Sequence, residues 1–369
     1  MEKNEQQRLL NEKTKVIFTP LDGSKNAYID IMKSAYETAG NCEIVSMRDI
    51  KNLFHAKFIV LNWYENITPS KSFVKKIFWF ILRLLTIAVL RFNKVKIIWT
   101  LHNREPHDGR FIILSKFIMK ILANKSDFII VHSQSSRQVV ENLIKNKSVI
   151  GKTIYVPHPN YCGYYGEMPR NLQTDGEKLQ MLFLGGIQKY KNVDILIEVV
   201  KKLNFKNLCL KIIGKCDKNY FEKLENLTKN AANIFVKNEF VPDDLIPEYV
   251  SRCHILIAPY ETKTMLNSGT AILAFSHNRT IISPTTGTLE DINDKSLFFD
   301  YSYSSREEHG EKLSRIISKI YYDYEGKYND LLEIGEKCFD FIYKNNDVEK
   351  IIQILKEEIF EKKQDGKNE

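Results

Sequence analysis

Apolar residues along the chain gather in short runs that mostly lack the strict apolar–polar alternation of a half-exposed strand. A first series comprises KVIFTP (residues 15–20), FIVLNW (58–63), VKIIWTLHN (95–103), DFIIVHS (127–133) and IYVPHP (154–159). A second comprises LQMLFLG (179–185), LCLKIIG (208–214), IFVKNEFV (234–241), ILIAPY (255–260) and RTIISP (279–284), with a helix from about Asn192 after its first member. Such runs suit strands buried on both faces, as in parallel sheets whose crossover helices cover each side. Helical patterns between several runs complete a βα alternation. Two successive series predict an α/β fold: two doubly wound, Rossmann-like domains facing across a cleft. Residues 160–176, with Gly163, Gly166, Pro169 and Gly176, read as the linker.

The most apolar segment is FVKKIFWFILRLLTIAVL (residues 73–90). It is shorter than the roughly 20 apolar residues that span a bilayer, and Lys75, Lys76 and Arg83 interrupt it. Lys76 and Arg83 stand seven apart and share one helix face, with Phe78, Trp79 and Phe80 as interfacial aromatics. The residues alone allow two readings: a helix lying on a membrane surface, or a core helix with one charged edge.

Composition narrows the class. A chain of 369 residues is long for one core, so two domains are expected. Its 43% hydrophobic and 27% charged residues are those of a soluble globular protein. The six cysteines include no Cys-x-x-Cys pair and read as reduced thiols of a cytoplasmic protein without a structural zinc site. The start, MEKNEQQRLLNEKTK, lacks the apolar core of a signal peptide. Charge is uneven: residues 51–152 hold 18 Lys and Arg against 5 Asp and Glu, a net +13 in a chain of net +8, so the remainder carries −5. A basic N-terminal half points to an anionic partner, either membrane lipid, a lipid-linked pyrophosphate or nucleic acid. No recognised nucleic-acid motif is present, and the aromatics lie in apolar runs.

Ligands of such sheets bind beyond the carboxyl ends of the strands, which directs attention to a few loops. In FLGGIQKYKNVDILI (183–197), Gly185 and Gly186 allow close backbone approach, and Lys189 and Lys191 put charge near a helix start, a phosphate-binding pattern without Walker spacing. In MLNSGTAILAF (265–275), Asn267, Ser268, Gly269 and Thr270 form a neutral helix mouth, either an anion seat or a simple Ser cap. Glu290, in SPTTGTLED (283–291), stands at the next candidate helix start, to bind ribose hydroxyls or offset the dipole. In the first half, TLHNREPHDG (100–109) gathers His102, Glu105, His107 and Asp108, a polar loop better suited to sugar than to zinc. VPHPNYCGYYG (156–166) adds His158 and Tyr161, Tyr164 and Tyr165. The first βα loop, PLDGSKNAY (20–28), carries Asp22, Ser24, Lys25 and Asn26.

Taken together, FLGGIQKYKNVDILIEVV, FVPDDLIPEYVSRCHILIAPY, NSGTAILAFSHNRTIISP and GTLED resemble, in order and spacing, the donor domain of family-4 type glycosyltransferases. WTLHNREPH, VPHPNYCGYYG and SGTAILAFS resemble a branch among bacterial capsule and exopolysaccharide transferases. The resemblance implies the two-domain glycosyltransferase-B arrangement: residues 15–165 for the acceptor and the membrane, 166–340 for a nucleotide sugar, and a last helix at 341–362 crossing back. It implies a UDP- or GDP-linked sugar as donor, no separate cofactor and no metal. The acceptor implied is a lipid-linked saccharide, polyprenyl-diphosphate-linked, met in peripheral contact with anionic membrane at the inner face. Lys191 falls on the family's lysine, Glu290 on its acidic residue, and His102 on the histidine facing the donor sugar. Gly186 stands where the motif has arginine and Asn192 where it has glycine, while the paired glutamates fall at Met265 and Leu273. Lys189 then supplies positive charge, and Glu261 or Glu290 a carboxylate.

The mechanism expected from these residues places the leaving diphosphate on the amides of residues 268–270 with Lys191 and Lys189. Inversion would call for a base, for which Asp22 and Asp108 are the candidates. Alternatives of other classes are a nucleotide-sugar epimerase of the same shape, a nucleic-acid binder, and a catalytically dead scaffold.

Overall fold

The computed structural model describes residues 13–21, 26–67, 72–105, 112–144, 147–169 and 176–362. The chain forms two compact units, one made of Met1–Pro159 with Asp347–Glu369 and the other of Asn160–Asn346. The sequence patterns put these divisions at 165/166 and 340/341.

In the first unit the elements run β1 (Lys15–Thr19), α1 (Ala27–Gly40), β2 (Glu43–Val45), α2 (Asn52–His55), β3 (Phe58–Asn62), α3 (Phe73–Phe92), β4 (Lys96–Thr100), α4 (Ile112–Lys125), β5 (Phe128–Val131), α5 (Gln134–Leu143) and β6 (Thr153–Tyr155). In the second they run β7 (Leu179–Leu184), α6 (Val193–Leu203), β8 (Leu208–Ile213), α7 (Lys218–Thr228), β9 (Ile234–Lys237), α8 (Ile246–Ser251), β10 (Ile255–Ile257), α9 (Gly269–Ser276), β11 (Thr280–Pro284), α10 (Gly287–Glu290), β12 (Phe299–Tyr301), α11 (Arg306–Asp323) and α12 (Asp330–Asn345). A last helix, α13 (Val348–Leu355), packs on α1, and its Ile351 and Leu355 enter the first unit's core beside Tyr36 and Met32.

Each unit has a six-stranded sheet, ordered β2-β1-β3-β4-β5-β6 and β12-β11-β10-β7-β8-β9. Every pairing is parallel. Read from the other edge, the second order is the 3-2-1-4-5-6 of a dinucleotide-binding sheet, and the first is the flavodoxin-like 2-1-3 series extended. Burial explains the runs: all five residues of β3 and of β11 are buried. The three-residue strands β2 and β12 close one edge of each sheet. They are too short and polar to stand out in the sequence.

The apolar segment forms α3, capped by Ser72, whose hydroxyl accepts from the Lys75 amide. Lys76 and Arg83 do share a face, but it is the inward one: Lys76 is buried, and Arg83 donates to the Tyr64 carbonyl. This corrects the reading of those two residues as an outward charged edge. Among the described residues no helix is long and apolar enough to cross a membrane.

Close packing in the second unit depends on Gly335 of α12. A Cβ there would sit 2.0 Å from the Asn278 carbonyl oxygen and 3.0 Å from Arg279 Cα. Gly335→Ala is expected to cost about 1–3 kcal/mol by overpacking, against the usual helix gain of about 1 kcal/mol. A lowered midpoint in thermal or denaturant unfolding checks it; an unchanged midpoint refutes it.

Candidate functional site

The carboxyl edge of the first sheet is neutral and aromatic. Asn62, the last residue of β3, donates from Nδ2 to the Thr19 carbonyl (3.2 Å). Its Oδ1 therefore faces His102 Nε2, 3.0 Å away, which makes Nε2 the protonated nitrogen and leaves the lone pair on Nδ1. The His102 ring stacks on Trp63 at 3.9 Å. Trp63 has a φ of 50°, a left-handed turn that lays the indole back over the strand end. Tyr28 of α1 sets its ring against His102, His132 and His158 at 4.9, 5.3 and 5.0 Å. His132 donates from Nδ1 to the Val156 carbonyl (2.7 Å), so its Nε2 accepts from the Tyr28 hydroxyl (3.0 Å).

Burial holds these rings neutral. It pushes His132 down to about 4 and His158 to about 3, with His132 adding to the effect on His158. Burial also takes His102 well below the ordinary histidine value, helped by His132 and His158. The cluster hydrogen-bonds without carrying charge. Tyr28, Asn62, Trp63 and His132 escape the sequence patterns. Their signal is positional: each of β4, β5 and β6 is followed within three residues by a histidine. Asp22, His107 and Asp108 lie outside the described residues.

The second unit differs in charge. Its strand order reverses between β7 and β10, the switch point where doubly wound sheets open a crevice. Gly185, just past β7, has a φ of 121°. Gly214, just past β8, would put a Cβ 1.9 Å from the Gly185 carbonyl oxygen, so the second loop needs glycine to pass the first. Gly186 has open space where a side chain would stand. The Lys191 ammonium lies over the Tyr260 ring at 5.1 Å and the Phe183 ring at 5.8 Å. It has no carboxylate within ion-pair distance among the described residues. Burial holds its pKa below the ordinary lysine value, with Tyr190 opposing.

Tyr260 links this cation to α9, because its hydroxyl meets Thr270 Oγ1 at 2.6 Å. Ser268 caps α9, accepting from the Ala271 amide at Oγ. Its own amide is taken by Thr288 Oγ1 (3.0 Å). The open amides of the helix mouth are therefore those of Gly269 and Thr270, a correction to the expectation that Ser268 contributes its own. Beside them the side chain of Asn267 and the hydroxyl of Thr286 have no hydrogen-bond partner among the described residues. Buried polar atoms without partners ask for a ligand or water.

Other expected residues diverge. Lys189 lines a separate hollow of about 450 Å³ with Asp194, Lys223 and Arg306. There Asp194 accepts from Lys223 (2.7 Å) and Arg306 (3.0 Å). Glu290 is exposed and ends the four-residue α10 instead of starting a helix. Leu273, at one glutamate position of the family pattern, is buried in α9. Tyr161, Tyr164 and Tyr165 pack on one another and, through Tyr165, toward His277 just past α9. They belong to the second unit.

Two doubly wound units with these strand orders define the class as glycosyltransferase-B, and solved structures share the fold. Sucrose-phosphate synthase from Thermosynechococcus elongatus matches at a TM-score of 0.71 and 10% identity, over 93% of this chain and 97% of that one. Anabaena HepE in complex with UDP-glucose matches at 0.65 and 10%, over 92% and 97%. Residues 166–268 match the family model described as Glycosyl transferases group 1, so the chain carries a domain of that family and is a glycosyltransferase. It is 24% identical, over 71% of each chain, to the GDP-mannose:glycolipid 4-beta-D-mannosyltransferase of Xanthomonas campestris pv. campestris. It is 26% identical to an uncharacterized 41.2 kDa protein in the cps region of Klebsiella pneumoniae, over 57% of this chain and 56% of that one.

The neutral histidines carry a pH consequence. In the folded chain His132 and His158 bind a proton only near pH 4 and 3, while in the unfolded chain they bind it near 6.5. Between those limits the unfolded chain holds more protons, so stability is complete above pH 6.5 and falls as pH drops toward 4. Each ring contributes on the order of 2 kcal/mol between pH 7 and 5. Thermal midpoints should fall over that range, and fall less in His132→Gln; equal slopes in the two proteins would refute the assignment.

Proposed function

We propose that the chain transfers a hexose-type sugar from a UDP- or GDP-linked donor to a lipid-linked saccharide, with a polyprenyl diphosphate as carrier, in capsule or exopolysaccharide assembly. The observation that carries the donor side is the Lys191 ammonium at the β7/β10 switch point, without a carboxylate partner among the described residues and joined through Tyr260 to the mouth of α9. An anion there would pair with the lysine's charge and accept from the Gly269 and Thr270 amides. As the glycosidic bond breaks, charge grows on the leaving diphosphate, and these groups hold it without rearranging. His102 offers a lone pair on a neutral ring, suited to accepting from a sugar hydroxyl.

The relatives support the acceptor class, since one acts on a glycolipid with GDP-mannose and another lies in a cps region. The beta linkage in the first name, and the apolar residues at both glutamate positions, favour inversion at the sugar carbon. Asp22 and Asp108 are the proposed bases. The site of action proposed is peripheral, in the cytoplasm at the inner face of the membrane.

Screening UDP- and GDP-sugars for thermal stabilisation, then assaying transfer to a polyprenyl-diphosphate saccharide, tests this reading. Lys191→Ala should keep its thermal midpoint without ligand and lose about 10- to 100-fold in transfer, the worth of one charge-assisted contact. Full transfer in that variant refutes the role of Lys191. Epimerised donor without acceptor refutes the transferase reading.

A further inference from the structure

Helix α3 wears its polarity inside out. Val74, Phe78, Ile81, Leu82, Leu85 and Phe92 stand at helical spacing on its outer side, with exposures from 38% at Leu82 to 87% at Phe92. On a 20-residue helix this is a stripe about 30 Å long, where a soluble protein ordinarily shows charge. Two of its four charged residues, Lys76 and Arg83, turn inward, while Lys75 and Arg91 stay exposed. Arg83 donates to the Tyr64 carbonyl and lies 5.0 Å from the Tyr64 ring. Buried Glu65 accepts from Trp99 Nε1 at 3.2 Å, and the charge of Arg83 acts on it. This polar seam fixes the roll of the helix, and the apolar stripe cannot turn into the core without exposing it.

Helix α4 extends the face. Its Ile113 and Phe117 are 79% and 50% exposed, and the Phe117 ring lies 6.0 Å from Phe80 of α3. Neither helix contains an Asp or Glu; Lys75, Lys120 and Lys125 are exposed on them, and exposed Lys116 pairs with Glu105 at 2.5 Å. A partner for this face must accept a long apolar stripe and carry negative charge at its margin. We infer that α3 and α4 dock on an anionic lipid bilayer, with the apolar stripe sunk to the boundary between headgroups and acyl chains and the lysines on the headgroups. This deepens the peripheral location proposed above and does not depend on the donor chemistry. It also assigns the anchoring to the stripe, with Lys76 and Arg83 excluded from lipid contact.

Co-sedimentation of the full chain with phosphatidylcholine vesicles, with and without 30% phosphatidylglycerol, tests the inference. Binding is expected to the anionic vesicles and to persist in part at 0.5 M salt, because insertion is not screened. Phe78→Glu/Leu85→Glu should bind at least tenfold more weakly. Lys116→Glu/Lys120→Glu should lose the preference for anionic vesicles. Both should retain the parent's thermal shift with nucleotide sugar, which separates this test from the transferase reading. Absence of vesicle binding by the parent overturns the inference. So does undiminished binding by the first variant, or concentration-dependent dimerisation that this variant abolishes while vesicle binding persists.

Discussion

Parallel pairing is the constraint from which the rest of the molecule follows. A parallel strand cannot be joined to its neighbour by a tight turn, so each connection must cross a face of the sheet, usually as a helix. The strands are therefore buried on both sides and can contribute little chemistry from their middles. Their carboxyl ends all emerge at one edge, and there the loops are free to vary. In both units several candidate residues sit one to seven residues beyond a strand end: Trp63 and His102 in the first, Gly185, Gly214 and Lys191 in the second.

The second unit sets an edge with unanswered polar groups beside an ordinary interior. Away from the edge its buried polar groups are largely answered within the fold. Arg279 spends its guanidinium on the carbonyls of Cys253, Ser251 and Asn278. His254 bridges the Gln180 amide and Asn329. Asp194 satisfies Lys223, Arg306 and Tyr220. Near the β7/β10 edge the answers stop among the described residues: Lys191 has aromatic faces but no carboxylate, and Thr264, Asn267 and Thr286 hold side-chain atoms without partners. Leaving such groups unpaired costs about 1–3 kcal/mol each, a cost a bound polar ligand would remove.

Much of this was legible in sequence because the underlying signals are local. Five-residue apolar strands, glycines at strand ends and a serine before an apolar helix each report their own backbone. What was not legible depends on partners distant in the chain. Gly214 matters because Gly185, from another strand, presses against it. The inward turn of Arg83 depends on Tyr64 and Glu65, which lie outside the helix pattern that reads as one charged edge. Glu290 looked like a helix opener because the pattern could not show that α10 ends after four residues.

The two edges divide the chemistry in a way that neither motif nor resemblance states. In the first unit, burial suppresses charge, and fixed tautomers on His102 and His132 create directional donors and acceptors. In the second, a buried cation lies near the amides of the α9 mouth, neither with a partner among the described residues. A dianionic leaving group is stabilised by the second arrangement and would gain little from the first. Sugar hydroxyls are uncharged and demand geometry, which neutral rings stacked on tryptophan and tyrosine supply without attracting stray anions. Taken each by itself, the neutral edge of the first unit suits uncharged hydroxyls and the positive edge of the second suits an anion. In α3 a similar rule holds locally: Lys76 and Arg83 lie beneath the helix, where the Tyr64 carbonyl answers Arg83, and the apolar stripe is left on the outer side.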